Sequence, residues 1–444
     1  MGIFLLFVTV RKQNKQVNIK FFLVVIFILI VIVSCKNNDE KVTPLPYDPP
    51  GAIITTDKEI SLQHRRTISF SNTGIFISNE FAGARLNDFY QVNESTYTAF
   101  IEPENSPIND SPWYSFKIWS KRNQNIILNL TYKDGTHRYK PKISFDGKSW
   151  KLFDTTKVIV DTTLNIASVK LTVTSDTLWI SAQELITSQV YDNWINLLLK
   201  KKFIRKAIIG KSSQGKPLYK IELSENENAN YLVIIGRNHP PEVPGFFALK
   251  TFVETLAGES TIANEFRKNF TTIVIPLVNP DGVDHGHWRH NYKGVDLNRD
   301  WVDFNQPEPA AVKSEVERII RSGGKINFFI DFHSTQEDIF YIFSMESLIS
   351  DDISSDRQEN RKYAFDLTNR WLNGLQTKLP DYHLNIIDTL SSPTSPTSDR
   401  WIMKEFDVPS MTYEVGDETS RELINKVAEA ASFELMQLLL SNRK

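Results

Sequence analysis

The chain has one cysteine among 444 residues, so an internal disulfide is impossible and a cysteine-rich zinc site cannot be built. Any metal has to be held by histidine and carboxylate, which makes the eight histidines the residues to follow. A basic surplus is missing too: 51 Lys and Arg stand against 53 Asp and Glu, and nothing in that balance points to nucleic acid. Nor is any apolar run as long as the ~20 residues a membrane-spanning helix needs. The run Phe21–Val33 has only thirteen. With 41% apolar residues the composition is that of a folded globular protein, which excludes disorder and collagen-like repeats. The length accommodates two to three domains of about 150 residues.

The first residues read as a leader. Arg11, Lys12, Lys15 and Lys20 precede the run Phe21–Val33, the layout of a secretory signal peptide. The run ends in Ile32-Val33-Ser34-Cys35, which resembles the lipobox of bacterial lipoproteins. That resemblance implies a signal peptide over 1–34, a lipid on Cys35 that anchors the chain in a membrane, and a place in the cell envelope, at the bacterial outer membrane or cell surface. The apolar stretch Ile3–Val10 ahead of the basic residues suggests a translation start further downstream. Without residues 1–34 the balance becomes 47 basic against 53 acidic residues. Residues 35–51, with Pro44, Pro46, Pro49 and Pro50, read as an extended tether. Within it, Lys36-Asn-Asn-Asp-Glu40 resembles the surface-export signals of some lipoproteins.

Residues 52–187 alternate apolar and polar with period two, as in Trp113–Trp119 and Asn125–Tyr132, and Asp146-Gly147 marks a tight hairpin. This predicts an all-β sandwich whose tryptophans, Trp113, Trp119, Trp150 and Trp179, fill the core rather than form a carbohydrate platform. Residues 188–444 change texture, with a helix over 190–200 and then strands alternating with longer amphipathic stretches. The fold class is α/β, a mixed, mostly parallel sheet flanked by helices. Four apolar runs read as buried strands: Tyr231–Ile235, Thr272–Leu277, Ile326–Ile330 and Ser410–Tyr413. Each is followed by reactive residues, namely His239 with Glu242, Asn279-Pro-Asp-Gly282, His333, and Glu414. Ligands of open α/β sheets bind outside the carboxyl ends of strands, so these four ends predict one shared site.

In Asn238-His239-Pro240-Pro241-Glu242 the two prolines forbid a regular helix and predict a bend leading into a helix near Gly245. An imidazole and a carboxylate three residues apart on such a bend reach one cation, and a third ligand completes the three-protein-ligand set of a catalytic zinc. His333, at the end of Phe328-Phe-Ile-Asp-Phe332, is the candidate, set against a buried structural histidine. His285, His287 and His290 read as part of a loop lining a substrate cleft rather than as a second metal site, and Glu308–Arg321 as an amphipathic helix with a solvated face.

The stretch Asn279-Pro-Asp-Gly282, Gly286-His-Trp-Arg289 and Gly294-Val-Asp-Leu-Asn-Arg-Asp-Trp301, with the His-x-x-Glu pair, the distant His333 and the late Glu414, resembles the zinc metallocarboxypeptidases related to pancreatic carboxypeptidase A. The resemblance spans about residues 205–442 and implies a metallocarboxypeptidase-like fold acting on peptide or protein C-termini. It implies one Zn2+ held by His239, Glu242 and His333, with Asp296 behind the first histidine, Arg289 polarising the scissile carbonyl, Asn298 and Arg299 holding the terminal carboxylate, and Glu414 as general base. The sandwich resembles the one ahead of the catalytic domain in the cytosolic carboxypeptidase branch, whose members remove glutamates from tails. That branch has His-Pro-Gly-Glu where this chain has His239-Pro-Pro-Glu242, and arginine at the position of Val295. A tyrosine that many members carry about twenty residues before the glutamate is missing, since none lies between His383 and Thr412. The Ser, Thr and Pro of Ser391–Ser398 predict a loop over the site, and Asp399 and Arg400 lie near the specificity position. Two other functions fit the same residues: a zinc amidohydrolase of acylated amino acids or peptidoglycan stem peptides, and a non-catalytic binding lipoprotein. Oligomeric state is not encoded legibly.

Overall fold

A computed structural model describes residues 59–350, 353–388 and 396–442. The leader, Cys35 and the tether lie outside the described residues, as does most of 391–398. No helix among the described residues is long and apolar enough to cross a membrane.

The N-terminal region is two packed sheets. One has six strands in the order Thr67–Phe70, Ile75–Ser78, Ser115–Ser120, Leu178–Ser181, Lys142–Ser144, Lys151–Leu152; the other has five, Asp88–Asn93, Thr96–Ile101, Gln124–Tyr132, Ile166–Val173, Val158–Asp161. Alternation sets their inner faces: Ile126, Leu128 and Leu130 of one strand and Ala167, Val169, Leu171 and Val173 of its neighbour point inward, against Phe116, Ile118 and Ile180 of the other sheet. Of the four tryptophans expected to fill this core only Trp113 does so; Trp119, Trp150 and Trp179 are half-buried outside it, Trp119 stacking on Phe76 and Trp179 lying under the Lys117 ammonium. The Asp146-Gly147 hairpin forms, but its loop is wider than a two-residue turn: Ile143 pairs with Lys151, and the Asp146 carboxylate accepts N–H bonds from Lys148 and Ser149.

The second region is one mixed eight-stranded sheet, ordered Ile204–Lys211, Pro217–Leu223, Thr271–Ile275, Asn230–Gly236, Lys325–Thr335, Ser410–Gly416, Ile339–Ile342, Ile386–Asp388. Its four central strands are parallel. Both faces are covered, which is why those strands read as mostly apolar runs without a regular polar alternation. Leu232, Ile234, Phe328, Ile330 and Met411 meet the helices Ser188–Leu198, Val243–Leu256, Ser355–Lys378 and Arg421–Ser441. The alternate residues Val233, Ile235, Ile273 and Phe329 meet Pro307–Arg321 and Ser398–Phe406. Two strands run further than their apolar cores suggest, so His333 and Glu414 stand within strands and are register partners. The helix Pro307–Arg321 is less solvated than its charges predict, because Glu308 and Glu315 are buried, Glu308 accepting from the Ser213 N–H and hydroxyl and Glu315 from Lys220.

Candidate metal centre and substrate cleft

The strand Asn230–Gly236 ends at Arg237, whose φ of +59° turns the chain sharply. Its guanidinium donates to the Pro240 carbonyl at 3.0 and 2.7 Å and so braces the Pro-Pro bend. The helix Val243–Leu256 begins directly after, with Glu242 at its N-cap. Here the backbone comes so close to the neighbouring strand that a Cβ on Gly245 would lie 2.6 Å from the His333 carbonyl oxygen. The bend, the helix start and the strand are therefore assembled around one point.

At that point His239 Nδ1 is 2.7 Å from Glu242 Oε1, and His333 Nδ1 is 2.8 Å from Glu242 Oε2. One ligand atom from each of the three residues lies within 4.8 Å of the others, the one such cluster found among the described residues. Each imidazole is backed by a carboxylate: His239 Nε2 lies 2.9 Å from Asp296 Oδ1 and His333 Nε2 lies 2.9 Å from Asp331 Oδ2. Donation from both Nε2 atoms leaves the Nδ1 lone pairs facing Glu242, the arrangement of metal-ligating histidines. Two imidazoles and one carboxylate, buried and converging, fit a zinc ion.

Burial works to raise the Glu242 carboxyl, but the two imidazoles outweigh it and hold it well below the ordinary range. Glu414 behaves oppositely. Burial, reinforced by the negative charges of Glu242 and Asp331, pushes it up to about 8 against the pull of His333 and Arg289. Its Oε2 is buried without a hydrogen-bond partner among the described residues. A buried carboxylate raised in this way beside a candidate metal ligand is disposed to take a proton.

Arg289 donates from Nε to Asp296 Oδ2 at 2.7 Å, so Asp296 binds the arginine with one oxygen and His239 with the other. Asn298 and Arg299 sit on a short 3-10 turn that Asp296 caps by accepting the Asn298 N–H at 2.9 Å. Arg289, Asn298 and Arg299, with His239, Glu242 and Glu414, line a cleft of about 420 Å³. His333 is buried just behind it.

Several residues of the cleft carry no obvious sequence signal. Asp331 is fully buried and holds His333, Asn238 and Ser398 together. Its one legible sign is a charge two positions before the histidine, on the same face of an otherwise apolar strand. Tyr341 reaches the cleft from the strand Ile339–Ile342, so the tyrosine present there comes from a different element than the loop before Glu414. Arg138, from the N-terminal region, lines it as well and donates to Asp417 at 2.7 Å. Asp399 and Arg400 are both in the wall, although Ser398 starts the helix Ser398–Phe406 instead of closing a loop. His285, His287 and His290 do not line the cleft. His287 and His290 are buried against Glu104 and Asn105 of the N-terminal region, because their loop packs face-down on the sandwich.

Residues 191–432 match the family model described as zinc carboxypeptidase. Among curated proteins, an uncharacterized protein of Zymomonas mobilis is 23% identical over 318 residues, covering 69% of this chain and 77% of that one. Cytosolic carboxypeptidase 6 of Homo sapiens is 24% identical over 57% of this chain and 56% of its own length. The mouse protein of the same name is 29% identical over 32% of this chain and 29% of its own length. The matched region thus spans little more than half of the human cytosolic carboxypeptidase 6. Among solved structures, a metallo-carboxypeptidase from Burkholderia cenocepacia superposes with a TM-score of 0.68, covering 83% of this chain and 100% of that one. One from Pseudomonas aeruginosa gives 0.66 with the same coverage. At 16% identity in both cases, the likeness is one of fold.

Proposed function

This chain belongs to the zinc carboxypeptidase family, whose members act on peptide or protein C-termini, and from that premise we propose that it hydrolyses the last peptide bond of such chains. The observation that carries the reading is the pairing of the His239–Glu242–His333 cluster with Glu414, the register partner of His333, whose Oε2 is buried without a hydrogen-bond partner among the described residues. His239 Nδ1, His333 Nδ1 and the Glu242 carboxylate would hold zinc, which would supply Lewis acidity and lower the pKa of a water. Asp296 and Asp331 fix the two imidazoles in the ligating tautomer. Glu414 takes a proton from the attacking water and returns it to the departing amine nitrogen. Arg289, its Nε occupied by Asp296, presents its remaining N–H groups to the scissile carbonyl oxygen as that atom gains negative charge. Arg299 and Asn298 clamp the terminal carboxylate, the planar fork of arginine matching its two oxygens. A single C-terminal residue is then the product, since an interior peptide offers the clamp no anion.

Asp399 and Arg400 place one carboxylate and one guanidinium in the same wall, close to where the C-terminal side chain would lie.

The test is a peptide mixture with free or amidated C-termini and acidic, basic or apolar last residues, incubated with and without chelator and read by mass spectrometry. Loss of single residues from free ends only, abolished by the chelator, is expected, and the rates for the different last residues give the side-chain preference. Zinc-loaded protein that shortens no peptide overturns the reading and turns the search to acylated amino acids and cell-wall fragments. The anchoring is part of the same proposal: the leader and Cys35 support a lipid-anchored enzyme of the cell envelope. Cys35→Ala should move the protein out of the membrane fraction, and an unchanged distribution would count against an anchor there.

A further inference from the structure

Arg289 lies in a loop that the N-terminal sandwich grips from beneath. Gly286 adopts φ +66°, and a Cβ there would fall 2.3 Å from the Ala84 carbonyl oxygen, so only glycine lets the loop approach this closely. Two residues on, the Trp288 ring is buried in the sandwich core and its indole N–H donates to the Trp113 carbonyl at 3.1 Å. At the far end Asn105 Nδ2 donates to the Gly294 carbonyl at 3.0 Å.

At the centre of this grip is Glu104, which has no exposed surface. Its carboxylate accepts three consecutive backbone N–H bonds: from Trp288 at 2.7 Å on Oε2, and from Arg289 at 3.0 Å and His290 at 2.7 Å on Oε1. A buried carboxylate needs such donors to offset its lost hydration, and the three N–H groups need an acceptor. Neither partner can leave without stranding the other, so charge-assisted bonds lock the backbone of residues 288–290. The Arg289 side chain emerges from this locked segment and meets Asp296, which in turn holds His239.

We propose that Glu104 is a positioning residue for hydrolysis: by fixing the Arg289 backbone from the other region of the chain, it sets the angle at which that guanidinium meets the scissile carbonyl. The sandwich is then part of the catalytic apparatus without touching substrate through this residue. The inference rests on the reading of Arg289 as the carbonyl-polarising group.

The experiment compares zinc-loaded wild type, Glu104→Gln, Glu104→Asp, Arg289→Ala and the Glu104→Gln/Arg289→Ala double variant. Glutamine keeps the size but replaces one acceptor oxygen by a donor, which strands a loop N–H; aspartate keeps the charge but withdraws it by one methylene. A misplacement of about 1 Å at a reacting group costs roughly 10²-fold in rate. Glu104→Gln should therefore lose about that factor in kcat with KM, zinc content and affinity for a released amino acid held near wild type. Affinity for a tetrahedral phosphonate peptide should fall in parallel with kcat/KM, because such analogues report transition-state binding. In the Arg289→Ala background the Glu104→Gln change should add nothing, since the two act through one group. If Glu104→Gln does not fold, Glu104→Asp carries the same comparison. Full kcat in the folded glutamate variants, a loss that follows zinc content, or additive losses in the double variant overturn the inference. Full activity in Arg289→Ala would instead remove the reading of Arg289, and the inference with it.

Discussion

Two glutamates of the cleft are pulled in opposite directions by their surroundings: two imidazoles draw Glu242 below the ordinary range, while burial beside other carboxylates drives Glu414 up. Environments that separate the pKa values of like groups assign them different tasks. Glu414→Gln should keep zinc and bind peptide yet lose roughly 10²- to 10⁴-fold in turnover. His333→Ala should lose the metal as well, so equal zinc content and equal activity in the two variants would contradict the assignment. A separate residue-scale effect concerns stability. Burial pushes His290 down to about 4 despite the nearby Glu104 charge. Between pH 6.5 and about 4 the unfolded chain binds a proton there that the folded protein refuses, so this histidine's contribution falls as the pH falls, by at most about 1.4 kcal/mol per pH unit. His290→Asn keeps a donor for Asn105 but lacks that titration. In urea titrations across this window, the stability advantage of wild type over His290→Asn should shrink on acidification; a gap independent of pH would contradict the burial argument.

At the scale of elements, the metal cluster depends on how closely the helix Val243–Leu256 starts against the strand Lys325–Thr335. The Gly245 N–H donates to the Ser334 hydroxyl at 2.6 Å, and a methyl group at Gly245 would collide with the His333 carbonyl. Gly245→Ala should push Glu242 and His333 apart and weaken zinc binding by about tenfold or more, the range seen when supports of metal ligands are altered. Competition with a chromophoric chelator measures this, and unchanged affinity would show that the helix start does not set the ligand spacing. The elements themselves were largely legible, since periods of two and 3.6 and the Pro-Pro bend are local properties. Their ends were less so. Apolar character stops at Phe332, whereas the ladder with the strand Ser410–Gly416 continues to Thr335, because backbone hydrogen bonding does not require apolar side chains.

Across the whole molecule the two regions share an interior. Trp288 and Val243 belong to the core of the sandwich, although both come from the region that carries the cleft. Arg421 donates to Glu184 through two bonds and Arg138 to Asp417, which adds partly buried ion pairs across the same boundary. A chain beginning at Thr187 would expose Trp288 and Val243 and strand the N–H groups that Glu104 accepts. It should lack a cooperative thermal transition and self-associate on gel filtration. A monomeric fragment that melts cooperatively and binds zinc would show that the sandwich is dispensable for folding.

The amino-acid sequence by itself determined the chemistry available to this protein. With one cysteine, a metal site had to draw on histidine and carboxylate, and the short spacings His239–Glu242 and Asp296–Arg299 place those groups near one another on the bend and on the tight turn. Period-two and 3.6-residue patterns then set which faces are buried. The tertiary structure alone decided which distant groups support that chemistry: Asp331 behind His333, Tyr341 and Arg138 in the cleft wall, and the burial of His287 and His290 beneath the loop. It also brought Glu104 to the loop of Arg289, 185 residues away. The physical reason is that the partners of Glu104 are backbone N–H groups. Every residue except proline carries one, so no side-chain pattern marks where a buried carboxylate will find three of them.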